Sequence, residues 1–495
     1  MKKYLSIIIA GFAFSAVQSQ GVLDALRYAN SGLNGTARFQ AMSGAFGALG
    51  GDFTSINVNP AGSAIFSNNQ VGLTLSSYNV KNKSDYFGTK SAANNNTFDL
   101  SQVGGVFVFN VNHYAEKSNW KKIVIAADYE NTSNFDSSVF TFGTNPNHSV
   151  ADYFLSYANP GIYPSGIPAS FLQNAYYEEL TIREQQAYLG YQSGIIKLDS
   201  NNSNADTYVS NVPAENYFQE NYFESKGYNG VLAINAAAQY KDRFYFGLNL
   251  RSHFTDYEKT TDFYEDNDNT ANSGVRSFYF QNYQHTYGDG FSFQLGAIAK
   301  ITSSFRAGLS YESPTWFRLT DEIHQSMAND DNYVDSNYLL IYPSYRLQTP
   351  SKWTGSLAYV FGKSGLISID YSLKDYGSTK YDDDDSYFRP INAAISSQMQ
   401  VAGDLRIGAE YRIKQWSLRA GFRSDESPYK NKKTMGDLTG GSAGFGYNFG
   451  RVKLDLSYSY SQRKSQEGFF TQGFTDGPKI TTQNNNGSMT CIFEL

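Results

Sequence analysis

Five histidines, His113, His148, His253, His285 and His324, and scattered carboxylates are the residues that could carry acid–base or metal chemistry. His253 lies beside Ser252 and three residues before Asp256, the residue types of a nucleophilic triad. Such a triad is recognised by geometry rather than order, and in a serine-rich chain the same neighbours arise by chance. No glycine-flanked nucleophile elbow, HExxH pair or phosphate-cradling loop is present. The acidic clusters Glu265, Asp266 and Asp268, then Asp330 and Asp331, then Asp382 to Asp385 invite a calcium reading. That chemistry needs ligands at alternate positions and a glycine at the sixth, where Asp266-x-Asp268-x-Thr270 reaches Ala271. They read as solvated loop tips. Haem ligation by a loop histidine is the remaining cofactor chemistry, and lone histidines are ordinary polar residues more often. The expectation is a protein without cofactor or enzymatic activity.

The elements that would position any site follow from composition and periodicity. The chain has 495 residues, 39 Tyr, 36 Phe and 43 Gly, and only 17% charged residues against about a quarter in an average globular protein. Aromatics in such excess suit strands and membrane-interface belts. A net charge of −6 without a basic run argues against a nucleic-acid partner. The single cysteine, Cys491, excludes an intrachain disulfide and a multi-cysteine metal site. Lys2-Lys3, the apolar run Leu5 to Val17 and the small residues Val17 and Ser19 form a secretory signal, with cleavage expected before Gln20. No other apolar run reaches the length of a spanning helix.

Period-two patterns recur along the rest of the chain. Phe291, Phe293, Leu295, Ala297, Ala299 and Ile301 alternate with Ser292, Gln294, Gly296 and Lys300. Leu405, Ile407, Ala409, Tyr411 and Ile413 alternate with Arg406, Gly408, Glu410 and Arg412. One face is apolar and the other keeps charges, as in a strand between lipid and a wet lumen. Short connections such as Lys241-Asp242-Arg243, Gly362-Lys363-Ser364 and Lys414-Gln415 alternate with long ones near 81–98, 134–228, 259–288, 319–345, 377–398, 427–438 and 465–485. Short periplasmic turns and long extracellular loops are the pattern of an outer-membrane barrel, here of about fourteen strands. The last strand places Met489, Cys491, Phe493 and Leu495 on one face. Asp128, Glu130, Arg251, Lys300, Asp370, Arg406, Glu410, Arg412, Arg419 and Arg423 are expected to face inward and satisfy one another. The insertion 134–228 is too long for a plain loop. A helix is expected from Ala169 through Ala187, with Phe171, Leu172, Ala175 and Leu180 packing on the loop itself or forming the mouth of an apolar site.

Before the first strand, Ala37 to Asn69 is dense in Gly and Ala, interrupted by Phe39, Met42, Phe46, Leu49, Ile56 and Phe66. Small residues permit compact folding in a restricted space, and Asn59-Pro60 sets a turn.

Asn59-Pro60-Ala61-Gly62, placed after Met42-Ser43-Gly44-Ala45 and before a barrel, resembles the plug of the long-chain fatty acid transporter (FadL-type) family, which includes aromatic-hydrocarbon uptake channels. Tyr311 to Trp316, Gly355 to Tyr371, Gly408 to Arg412 and Leu418 to Phe422 resemble Bacteroidetes-type members. The resemblance implies an all-β chain: signal peptide 1–19, plug 20–68, and a transmembrane antiparallel barrel over 69–495. It implies a monomer in the outer membrane of a Gram-negative bacterium, among lipid and lipopolysaccharide. The implied activity is passive uptake of a hydrophobic small molecule such as a long-chain fatty acid, released through the barrel wall after plug movement. Asn59, Pro60 and Ala61 would hold the plug, and Leu23, Leu26, Phe39, Phe46 and Phe66 would be its apolar ligand contacts. Gly104-Gly105 marks either a bulge that opens the wall or a site for packing. A closed barrel serving as scaffold or shuttle for secreted proteins, and a receptor for haem or another hydrophobic ligand, are the alternatives.

Overall fold

The computed structural model describes residues 21–30, 32–111, 118–161, 164–200, 206–213, 216–267, 274–329, 333–335, 339–382 and 387–495. The expected signal segment lies outside them. Fourteen antiparallel staves close into a barrel. They are β1 (Gln70–Tyr86), β2 (Thr89–Asn110), β3 (Trp120–Asn134), β4 (Tyr217–Tyr240), β5 (Phe244–Asn267) and β6 (Ser277–Lys300). There follow β7 (Phe305–Glu312, resumed as Trp316–Asn329), β8 (Tyr345–Gln348, resumed as Lys352–Val360), β9 (Gly365–Asp375) and β10 (Val401–Ile413). β11 (Trp416–Asp425), β12 (Met435–Asn448), β13 (Val452–Gln466) and β14 (Lys479–Glu494) complete the wall. Each stave pairs with its sequence neighbour, and β14 closes on β1 through Val71 opposite Phe493. Pro314, which has no N–H to give the ladder, marks the break in β7.

The alternation read from the sequence becomes a two-faced wall. Leu248, Leu250, Leu295, Ile369, Leu418 and Phe445 are exposed on the outside. Their neighbours Asn249, Gln294, Asp370 and Arg419 are buried in the lumen. No helix among the described residues is long and apolar enough to cross a membrane, so the strands do the spanning. At the short-turn end the exposed rings of Trp120, Phe244, Phe361, Trp416 and Phe449 form an aromatic belt.

Several expected loops are instead strand. The segment 81–98 belongs to the β1–β2 hairpin, which turns only at Phe87-Gly88, and β5 and β6 rise far above the membrane band. Cross-strand pairing continues there because two or three staves share the desolvation of their polar faces. Over these extensions folds a cap from the 134–228 insertion. It holds α3 (Ala151–Ala158), α4 (Ala169–Asn174) and α5 (Ile182–Gln192). The single helix expected from Ala169 to Ala187 is therefore two, separated at Tyr177–Glu179. Thr181 starts the second helix as a capping box with Glu184. Leu172 is buried in a cluster with Phe154 and Leu189 of the cap and Phe280 of β6, Leu180 is buried as well, and Phe171 stays exposed.

Glu265, expected in a solvated tip, is buried. The strand extension fixes its parity inward, where it accepts from Val150 N at 2.9 Å, Gln219 Nε2 at 2.7 Å and the Ser149 hydroxyl. It thereby satisfies the start of α3. Asp268, Asp330, Asp331 and Asp383 to Asp385 lie outside the described residues.

Burial pushes the Glu265 carboxyl up to about 7 from an ordinary 4.5, outweighing those three donors. An acid whose folded pKa is raised loses stability as pH climbs through that window. The cap should be on the order of 3 kcal/mol less stable above pH 7 than below pH 4.5. Limited proteolysis of the 134–228 insertion should quicken between pH 5.5 and 8 in the wild type. Glu265→Gln should flatten that dependence.

Candidate functional site

The N-terminal segment occupies the lumen as α1 (Val22–Ala29), α2 (Ala37–Ala41) and the 3-10 turns Thr54–Asn57 and Pro60–Ile65. A chain folded inside a barrel must find partners for its own backbone, and the wall supplies them. Asp370 accepts from Phe46 N at 2.9 Å and Gly47 N at 2.8 Å. Arg38 meets Glu410 at 2.8 Å, which also takes Arg419, itself paired with Asp455. Ala37 N donates to the Thr490 hydroxyl at 2.6 Å.

The Asn-Pro-Ala turn is the most tightly held part. Asn59 accepts from Ala61 N at 3.1 Å and donates to Gly47 O at 2.7 Å and to Ala297 O of β6 at 3.1 Å. It thus ties the turn to another plug turn and to the wall. Asn235, Asn249 and Gln294 face each other across β4, β5 and β6. Asn235 donates to Pro60 O, Asn249 to Ile56 O and Gln294 to Asn57 O. Beneath this amide row Gly247 and Gly296 give the turn its room. A Cβ on Gly247 would come within 2.3 Å of Pro60, and one on Gly296 within 2.0 Å of Asn59 Oδ1. Asn57 donates to Asp128 at 2.9 Å and to Glu130 at 2.6 Å.

The eight residues singled out in the sequence do not converge on one pocket. Leu26, with Leu23 beside it, joins a cluster with Tyr345, Tyr381 and Phe388. Phe39 and Phe46 pack with Met42 and Leu366, while Phe66 and Ala61 pack with Phe53, Val106 and Tyr245. Of the apolar five, only Phe39 borders a cavity, a small one of about 100 Å³.

A larger cavity of about 330 Å³ lies between Asn30, Gly32, Leu33 and Asn34 and the wall. Its lining is mixed, with Leu33, Tyr78, Val80, Phe135 and Leu438 beside the cations Arg406, Arg423, Arg463 and Lys374 and the acids Asp404, Asp425 and Glu426. Arg406 and Arg423 face each other across β10 and β11, as do Asp404 and Asp425 one step higher. Arg406 Nε, Arg423 Nη1 and Arg463 Nε are buried without a hydrogen-bond acceptor. Arg406 and Arg423 were legible as inward charges; Arg463 and Lys374 were missed, although Lys374 also stands one step from an inward-facing position of its strand.

The wall beside this cavity is incomplete. β2 pairs with β3 only from Gln102 opposite Glu130 down to Asn110 opposite Lys122. Above that level the two strands share no ladder, and β3 pairs on its other side alone. The bulge falls at Ser101, between the pairs Leu75–Leu100 and Thr74–Gln102, and not at Gly104-Gly105. Gly104 is a packing glycine, since a Cβ there would come within 2.5 Å of Asp128. The N-terminal segment takes over at the gap. Gly32 N donates to Thr132 O of β3 at 2.9 Å, and Gly35 N donates to Ser101 Oγ of β2 at 3.2 Å. Gly35 sits at φ +94 with Thr54 2.2 Å from where a Cβ would be, so no other residue fits.

The triad reading of His253 fails on geometry. His253 is buried and bonds Ser292 Oγ at 2.7 Å, while Asp256, three residues on, points to the outer face. Asp256 pairs there with His285.

A model of the outer membrane protein transport protein family (OMPP1/FadL/TodX) matches residues 232–485. A solved FadL homologue of Pseudomonas aeruginosa is 12% identical over 94% of this chain and 99% of its own, with TM-score 0.54. The toluene transporter TodX of Pseudomonas putida is 13% identical over 94% and 100%, at 0.51. The toluene transporter TbuX of Ralstonia pickettii is 14% identical over 94% and 99%, at 0.50. At such identities the likeness is one of fold. No curated protein matches the chain.

The glycine cradle yields a direct expectation. Gly247→Val should unseat the Asn-Pro-Ala turn and raise single-channel conductance in planar bilayers. Gly355→Val, where a Cβ meets nothing within 4 Å, should leave it at the wild-type level.

Proposed function

The chain belongs to the outer membrane protein transport protein (OMPP1/FadL/TodX) family, and within it we propose passive uptake of an amphipathic carboxylate such as a long-chain fatty acid, with sideways release between β2 and β3. The family's members carry hydrophobic small molecules across the outer membrane of Gram-negative bacteria. What supports the finer reading is one arrangement: a cavity lined by both apolar side chains and cations, beside an incomplete seam against which the N-terminal segment is bonded.

The cavity suits an amphiphile. A ligand leaving water gains about 0.8 kcal/mol per buried methylene against Leu33, Val80 and Leu438. Its carboxylate takes the guanidinium N–H groups of Arg423 and Arg463 that have no acceptor. Arg423 is buried, and with the half-buried Arg406 and Arg463 it leaves three buried guanidinium N–H groups without an acceptor, a cost that an anion relieves.

Release follows from the seam. A ligand against Leu33 competes for the space of the segment that joins Gly32 to Thr132 and Gly35 to Ser101. Displacing it breaks both bonds and leaves the lips joined only by side chains, Asn131 to Asp99 and Asn134 to Thr97, which part as ligand passes into the bilayer rather than into the periplasm. The ligand shifts this equilibrium only by its preference for the displaced state. Asn59, Pro60 and Ala61 stay fixed to β6 and the amide row and serve as the anchor about which the leading segment moves. Leu26 and Leu23 give way with α1, and Phe39, Phe46 and Phe66 hold the remainder of the plug.

Two measurements test this reading. Purified protein should bind oleate saturably, and Arg423→Ala with Arg463→Ala should weaken it about tenfold to a hundredfold, the worth of one or two charged hydrogen bonds. Absence of saturable binding would favour a closed scaffold barrel. In a Cys491→Ser background, Gly32→Cys with Thr132→Cys should, once oxidised, keep oleate binding and abolish uptake by cells. Reduction should restore it.

A further inference from the structure

At the short-turn end, Lys241, Arg243, Lys363, Lys414 and Arg451 are all exposed, and Asp242 is the exposed acid among them. None of these five cations forms an ion pair among the described residues. Other cations on the same rim do have partners. Lys122 donates to Phe66 O, Arg306 to Leu49 O at 3.1 Å, and Lys453 pairs with Glu494. The five are therefore surplus to holding the plug.

Their placement indicates what they meet. They occupy four turns, β4–β5, β8–β9, β10–β11 and β12–β13, spaced round the wall. Each lies one or two residues from an exposed aromatic: Arg243 beside Phe244, Lys363 after Phe361, Lys414 before Trp416 and Arg451 after Phe449. Aromatic rings of such a belt sit at the lipid–water boundary, so the neighbouring cations reach the headgroups. A soluble acidic partner would engage one side of the rim, whereas an annulus of lipid touches every turn. The opposite end of the outer face is mixed in sign, with Glu258 across from Lys226 and Asp289 across from Arg318, all four exposed.

We propose that this rim selects anionic phospholipid headgroups from the periplasmic leaflet. The attraction is Coulombic, amounts to severalfold enrichment for a cation near a charged lipid, and fades within a Debye length.

Electron spin resonance of the full chain in dioleoylphosphatidylcholine vesicles can measure the association of spin-labelled phosphatidylglycerol relative to phosphatidylcholine. The wild type should prefer phosphatidylglycerol about threefold or more at low salt and lose the preference in 1 M salt, where screening acts within about 3 Å. A variant carrying Lys241→Asn, Arg243→Gln, Lys363→Gln, Lys414→Asn and Arg451→Gln should show a ratio near one. Asparagine is chosen where φ is +50 and +53, at Lys241 and Lys414, so the turns keep their shape. Neutralising Lys81, Lys83 and Lys90 on the opposite end should leave the preference intact. A ratio of one in the wild type, or a preference that survives in the rim variant, would overturn the proposal; the first result is also what a rim built for a soluble acidic partner would give.

Discussion

Backbone groups at membrane depth have no water to turn to, so every strand edge must be paired or covered. In this barrel β2 and β3 part above Gln102 and Glu130. A segment that belongs to no strand lies against the gap, donating from Gly32 N to the Thr132 carbonyl and from Gly35 N to the Ser101 hydroxyl. Closure rests on those two hydrogen bonds, on the fit of Gly35 against Thr54 and on two side-chain bonds between the strands themselves, from Asn131 to Asp99 and from Asn134 to Thr97, a small number of contacts compared with the ladders on either side.

Mobility in that segment requires the rest of the plug to stay put. The Asn59 turn is bonded to Gly47, Ala297 and the amides of Asn235, Asn249 and Gln294, and it sits against backbone at Gly247 and Gly296. Arg38, Glu410, Arg419 and Asp455 add a buried charge network. A plug with one fixed and one lightly held portion opens a side path without emptying the bore. The 330 Å³ cavity is lined by both Asn30, Gly32, Leu33 and Asn34 of the leading segment and the arginines Arg406, Arg423 and Arg463, each of which has a guanidinium donor without an acceptor.

Period-two alternation made the fourteen staves, their inner and outer faces and the short turns legible, because a wall between lipid and lumen writes its two solvents into every other residue. The plug was legible through the resemblance carried by Asn59 to Gly62. Loop ends were misjudged: β1 and β2 continue above the membrane with polar residues on both faces, and β5 and β6 continue with Phe263, Phe278 and Phe280 turned into the cap. That error also misplaced Glu265, which is inward by parity once its strand is known to extend. The seam left no trace in the sequence, since it consists of missing hydrogen bonds between strands whose residues look like any others. Gly104-Gly105 drew notice because of residue type, while the bulge fell on Ser101, whose hydroxyl faces the plug. His253 and Asp256 were close in number and lie on opposite faces, a distinction that a strand's period already contains.

The central claim is that ligand and closed seam exclude each other. Spin labels at Leu33→Cys in the leading segment and Phe98→Cys on the outer lip of β2, in a Cys491→Ser background, allow this to be measured by double electron–electron resonance. Without ligand the distance distribution should be narrow, set by the bonds at Gly32 and Gly35. Saturating oleate should broaden it and move it to longer distances by several ångströms or more, a full turn of chain being about 5 Å. A distribution that stays narrow and unmoved while oleate is demonstrably bound would contradict the account.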